Sequence, residues 1–147
     1  MVLLEAANLL HFIGIAWGVG GATVAAILMA RSDKHPESAP HIMAAMPAIS
    51  RLIWAGIALL IVSGIALAPL VSWPVNPIVL GAKHLVVLLL IASGLFMSFR
   101  TIPRVARLAP KDGKPSDEFL KARKTARING TISFILWYVI VILSVAM

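Results

Sequence analysis

The chain has 147 residues, enough for one domain; 60% are hydrophobic and 13% charged, and mean hydropathy is +0.94. A soluble domain is closer to half apolar and a quarter charged, so this composition excludes disorder, a fibrous chain and an ordinary water-soluble enzyme. The net charge is +7 and cysteine is absent, which leaves no disulfide framework, thiolate metal site or covalently attached haem.

Four apolar stretches follow in chain order: about 2–30, 48–71, 78–99 and 128–147. Each is long enough to cross about 30 Å of hydrocarbon as a helix. Lipid offers the backbone no hydrogen-bond partner, so helices are the only solution for so few segments. The predicted fold is an all-α integral membrane four-helix bundle, 1–147 forming a single four-span domain. The first stretch carries Glu5, lacks a basic flank and outruns a signal h-region; it reads as a retained helix.

Cations lie in the predicted loops 31–47 and 100–127, among them Arg31, Lys34, Arg104, Arg107, Lys121 and Lys124. The segment Ser72–Pro77 carries none. By the positive-inside rule both basic loops are cytoplasmic and both termini outside. The expected location is a prokaryotic cytoplasmic (inner) membrane, crossed several times. The basic balance thus reports topology, not nucleic acid, with weak attraction to anionic lipid head groups. In the last loop, Ser116 is positioned to cap a helix with Asp117 and Glu118 in its first turn. Asp117 and Lys121 are spaced for an i,i+4 pair. The fourth helix should start there and run into the membrane, after a turn at 111–115. Trp73 is expected at interface depth.

Ionisable residues inside spans are expensive and mark function by default. His11 falls about 13 Å from the outer end of its span and His84 about 9 Å from the same side, at 1.5 Å per residue. Two imidazoles at similar depth suit a six-coordinate haem b. Gly14, Gly18 and Gly21 follow His11 at three- and four-residue spacing, with Ala25 beyond. That smooth stripe is either a bed for a flat macrocycle or a close helix-packing seam; the expectation is the ligand pocket. Lys83 stands about 100° round the helix from His84. It offers a neutral amine ligand, a carboxylate partner or a side chain reaching to the interface. Arg51 and Arg127 open the second and fourth spans, as anchors or as holders of haem propionates. Asn129, Ser133 and Ser144 read as helix–helix glue, and Trp17 and Trp54 as packing. His35, His41, Met43 and Met46 match no compact copper motif and read as solvated. P-loop, nucleophile-elbow and zincin motifs do not occur.

These residues resemble a superfamily of small four-helix membrane proteins. It includes the haem-binding, flavin-free bacterial protoporphyrinogen oxidase and the copper-resistance D membrane domain. The similarity lies in His11 followed by Trp17-Gly18-Val19-Gly20-Gly21, in Arg51 followed by Gly56 and Gly64, in Lys83-His84 before a leucine-rich run, and in Arg127-Ile128-Asn129. It covers the four spans through short motifs. The resemblance implies a b-type haem, with His11 and Lys83 carrying over by position. The sequence departs from the oxidase at 22–28, where that family has an aromatic, proline-rich exit with an arginine.

The expectation is a membrane-embedded haem b protein acting in electron transfer or haem-linked redox chemistry. His11 is the first axial ligand, and His84 or Lys83 the second. A redox partner is implied, and a homodimer is admitted because a short bundle encloses little room for a macrocycle. The alternatives are a protoporphyrinogen-oxidase-like enzyme, and a copper-handling or structural membrane subunit without haem.

Overall fold

The computed structural model describes residues 2–70, 76–110 and 115–146, and all of its regular structure is helical. The elements are α1 (Val2–Lys34), a 3₁₀ turn (Pro36–Ser38), α2 (Ala39–Leu67), α3 (Pro77–Phe96), a π-helical turn (Met97–Thr101), α4 (Ile102–Leu108) and α5 (Asp117–Val145). Among the described residues four helices are long and apolar enough to cross a membrane: α1, α2, the run from α3 through α4, and α5. Two compact units divide it, Met1–Val75 and Asn76–Met147.

The first unit is an antiparallel hairpin of α1 and α2. Its connection is far shorter than the expected loop 31–47. The chain reverses through Pro36–Ser38, where Ser38 N–H bonds the His35 carbonyl at 3.0 Å, and α2 begins at Ala39. Pro40 explains the early start. A proline at the head of a helix loses only an N–H that would have had no intrahelical partner, and its φ is already helical. Pro47 lies inside α2. Helix therefore continues well outside the apolar stretch that starts near Ala48.

The second unit pairs α3 and its extension with α5. Asn76 caps α3, its side chain accepting from Ile78 N–H at 3.0 Å and Val79 N–H at 3.4 Å. Helix does not stop at Phe99 as the hydropathy implied. It widens into a π-helical turn, in which Ile102 N–H bonds the Met97 carbonyl, and resumes as α4. Pro103 supplies the physical reason, because its missing N–H and its ring are incompatible with an uninterrupted α-helix at that point. Helix α5 starts where expected: Ser116 Oγ accepts from Phe119 N–H at 3.2 Å. The Asp117–Lys121 pair is not formed, whereas His35 and Glu37 pair at 3.1 Å. Trp73 and most of the 111–115 turn lie outside the described residues.

Candidate functional site

The glycine stripe of α1 faces α2. A Cβ on Gly14 would stand 2.9 Å from Leu60 Cγ and 3.0 Å from the Gly56 carbonyl oxygen; one on Gly21 would stand 2.8 Å from Ile53 Cγ1. From the other side, a Cβ on Gly56 would lie 2.7 Å from Gly18 N and 2.8 Å from Gly14 O. Backbone meets backbone, the close approach that small residues permit between helices in lipid. This corrects the pocket expectation for Gly14, Gly18 and Gly21. Helix α2 fills the space that a macrocycle would need, so the stripe is a packing seam.

His11 stands on the same hairpin, next to that seam. Its Nδ1 lies 2.9 Å from Ser63 Oγ. Ser63 is 1% exposed and is the partner that composition alone did not single out. The serine hydroxyl lies 2.6 Å from the Leu59 carbonyl, to which it donates. A hydroxyl has one proton, and here Leu59 takes it. With the hydroxyl proton on the Leu59 carbonyl, the His11 imidazole donates from Nδ1–H, and in that neutral tautomer the lone pair is on Nε2. Metal-ligating histidines are commonly oriented this way, with one ring nitrogen donating to a fixed acceptor. The glycine stripe does not fit a macrocycle, because α2 occupies the space beside it.

An apolar groove of about 490 Å³ runs along the hairpin, lined by Leu10, Ile13 and Trp17 from α1 and by Ala55, Leu59 and Val62 among the α2 residues. It is not the histidine's pocket. Ile13 and Trp17 stand about 160° and 120° round α1 from His11. Trp17 is exposed on this outer face rather than packed. Arg51 is also remote: it lies roughly 18 Å along α2 from Ser63 at 1.5 Å per residue, exposed, with its Nε donating to the Pro47 carbonyl at 3.3 Å.

In the second unit, His84 is exposed on α3 and donates from Nδ1 to the Leu80 carbonyl at 2.8 Å. Its neutral form likewise carries the lone pair on Nε2. Lys83 is half-buried. Deeper in the hairpin, Ser93 Oγ donates to Asn129 Oδ1 at 3.1 Å, Asn129 Nδ2 donates to the Ser93 carbonyl at 3.1 Å, and Ser133 Oγ is 2.7 Å from Ser93 Oγ. With the Ser93 proton given to Asn129, Ser133 donates to Ser93. This closed network is the glue expected of Asn129 and Ser133, and Ser93 is its unforeseen centre. Ser144 does not join; it bonds the Ile140 carbonyl of its own helix at 2.7 Å. The Ser93–Asn129 register puts Arg127 roughly 17 Å along the axis from His84, so these two do not share a site.

Among the described residues no three His, Asp or Glu side chains converge. His35 meets Glu37 at 3.1 Å on an exposed surface, and His41 is exposed. No family model, curated protein or solved structure matches this chain.

Proposed function

We propose that the protein is a multi-pass membrane haem b protein that carries electrons or supports a haem-linked oxidation, with His11 as an axial ligand. The observation behind this reading is the His11–Ser63–Leu59 relay, at 2.9 and 2.6 Å. It orients an imidazole on an apolar helix through a buried serine. An intramembrane ionisable group with its tautomer held by a buried partner is a functional arrangement by default.

His84, whose Nδ1 donates to the Leu80 carbonyl, and Lys83, which the family resemblance favours, are the further candidate haem ligands. A bound haem would exchange one electron between ferric and ferrous iron, with burial and ligand type setting its potential. The chain's own residues hold the imidazole, fix its tautomer and keep water away. The proposed topology puts both termini outside and the basic segments in the cytoplasm of a prokaryotic inner membrane. A homodimer and a separate redox partner belong to the same proposal.

The test is the visible spectrum of detergent-purified protein from haem-replete cells, oxidised and then dithionite-reduced. A Soret band with sharp reduced α and β bands is expected. His11→Ala should abolish it, and Ser63→Ala should weaken haem retention or shift the bands. Loss of the low-spin bands in His84→Ala, but not in Lys83→Ala, assigns the second ligand to the histidine. A colourless wild-type protein overturns the proposal.

A further inference from the structure

A second feature of the Asn76–Met147 unit is independent of haem. Beyond the apolar run of the third span, Arg100, Thr101 and Arg104 from the α3–α4 run and Lys121 and Thr125 from α5 line a cleft of about 100 Å³, with Phe96 and Ala122 completing the lining. Among the described residues no carboxylate pairs with Arg100, Arg104 or Lys121. Three cations thus share a small space without internal neutralisation. All three are exposed, so water screens their repulsion, and an anion in the cleft would meet all three at once.

The widened turn helps to build the cleft. In a uniform α-helix Thr101 would stand about 140° round from Phe96. The π-helical turn advances less per residue and brings Thr101 back toward Phe96, whose carbonyl its hydroxyl meets at 3.4 Å. Thr101 is 5% exposed. Arg104, beyond the turn, joins Arg100 on the cleft wall. Turns of this kind concentrate at functional sites.

We infer that this cleft binds a phosphate group, supplied by an anionic phospholipid at the membrane surface. Guanidinium forks match phosphate oxygens bidentately, and the lysine adds a point charge. The lipid source follows from position: the apolar run of the third span ends at Phe99, so Arg100 begins the segment at headgroup depth. Basic pockets between helix ends take lipid phosphates in this way. The volume suits one phosphate-sized group, not an acyl chain.

The test measures lipid retention by native mass spectrometry, using phosphatidylglycerol, phosphatidylcholine and inorganic phosphate as separate probes. The wild-type chain should retain phosphatidylglycerol over phosphatidylcholine. At about fivefold per cation, R100Q/R104Q/K121Q should weaken retention about a hundredfold. The charge-matched control K34Q/R107Q/K124Q, on exposed residues outside the cleft, should stay within about threefold of wild type, less than one cation's worth. Should the triple variant fail to fold by circular dichroism, R104Q against R107Q carries the comparison. Binding of inorganic phosphate with the same residue dependence, but not of phosphatidylglycerol, supports the phosphate site with a soluble source. Equal loss in the matched control, or no preference for either anion, overturns the inference.

Discussion

Gly56→Ala is the sharpest test of the α1–α2 seam. The added Cβ would sit 2.7 Å from Gly18 N, 2.8 Å from Gly14 O and 3.1 Å from Gly18 Cα, against about 3.4 Å for ordinary contact. All three neighbours are backbone, so no side chain can swing aside. The helices must separate by about 0.7 Å at this point, and a gap of that size forfeits a quarter to a half of each dispersion contact across it. Overpacking of this kind costs about 1–3 kcal/mol. Removing a glycine from a helix interior returns about 1 kcal/mol. The expected net effect is a loss of up to about 2 kcal/mol. Gly64→Ala is the internal control: it lies on the same helix, and a Cβ there meets nothing within 4 Å, so only the propensity gain remains. Unfolding in mixed micelles by SDS titration, followed by far-ultraviolet circular dichroism, measures both. The propensity gain is common to both, so the two variants should differ by the overpacking cost, about 1–3 kcal/mol. If Gly56→Ala is as stable as Gly64→Ala, the seam is not the close backbone contact described.

Three further predictions follow from separate parts of the molecule. Asn129→Ala removes both Asn129–Ser93 hydrogen bonds and should destabilise the second hairpin by about 0.6–2 kcal/mol, whereas Ser144→Ala, whose hydroxyl bonds only its own helix, should be near neutral in the same SDS titration. Ser116→Ala should cost about 1 kcal/mol at the start of α5, read as about fivefold faster amide exchange over residues 117–120, with global unfolding unchanged. In whole cells, Lys34→Cys should resist an impermeant thiol reagent and Val2→Cys should react; the reverse pattern would refute the topology drawn from the cations.

The parts of this architecture that were legible in the sequence are those set locally. Hydropathy marks four helices because each span must satisfy its backbone internally. Ser116 announces α5 because a cap needs only a side-chain oxygen three residues before an N–H. Hydropathy failed at helix ends, since it reports the bilayer and not the helix. Residues 39–47 carry a histidine and two prolines yet are helical, and helix passes Phe99 by widening at Met97–Thr101. Interhelical partners were the least legible. Ser63 and Ser93 are single hydroxyls in apolar runs, and their importance depends on the register that brings His11 and Asn129 to them.

The glycine stripe shows why a local pattern leaves two answers open. Gly14, Gly18 and Gly21 make one smooth face whether a flat ring or another helix lies on it. What decides is on α2: Gly56 supplies a second smooth surface at the same height, and Leu60 and Ile53 fill the flanks. The stripe and the histidine therefore have different tasks. By letting the backbones close, the glycines bring Ser63 to 2.9 Å from His11 Nδ1, so they position the imidazole and do not cradle a ligand. This division has a consequence for the haem proposal. Gly56→Ala separates the helices without touching His11, and should perturb the haem spectrum in the same sense as Ser63→Ala, while Gly64→Ala leaves it unchanged. A spectrum insensitive to both Gly56→Ala and Ser63→Ala, yet lost in His11→Ala, would mean that the ligand is held without its serine and that the seam has no part in orienting it.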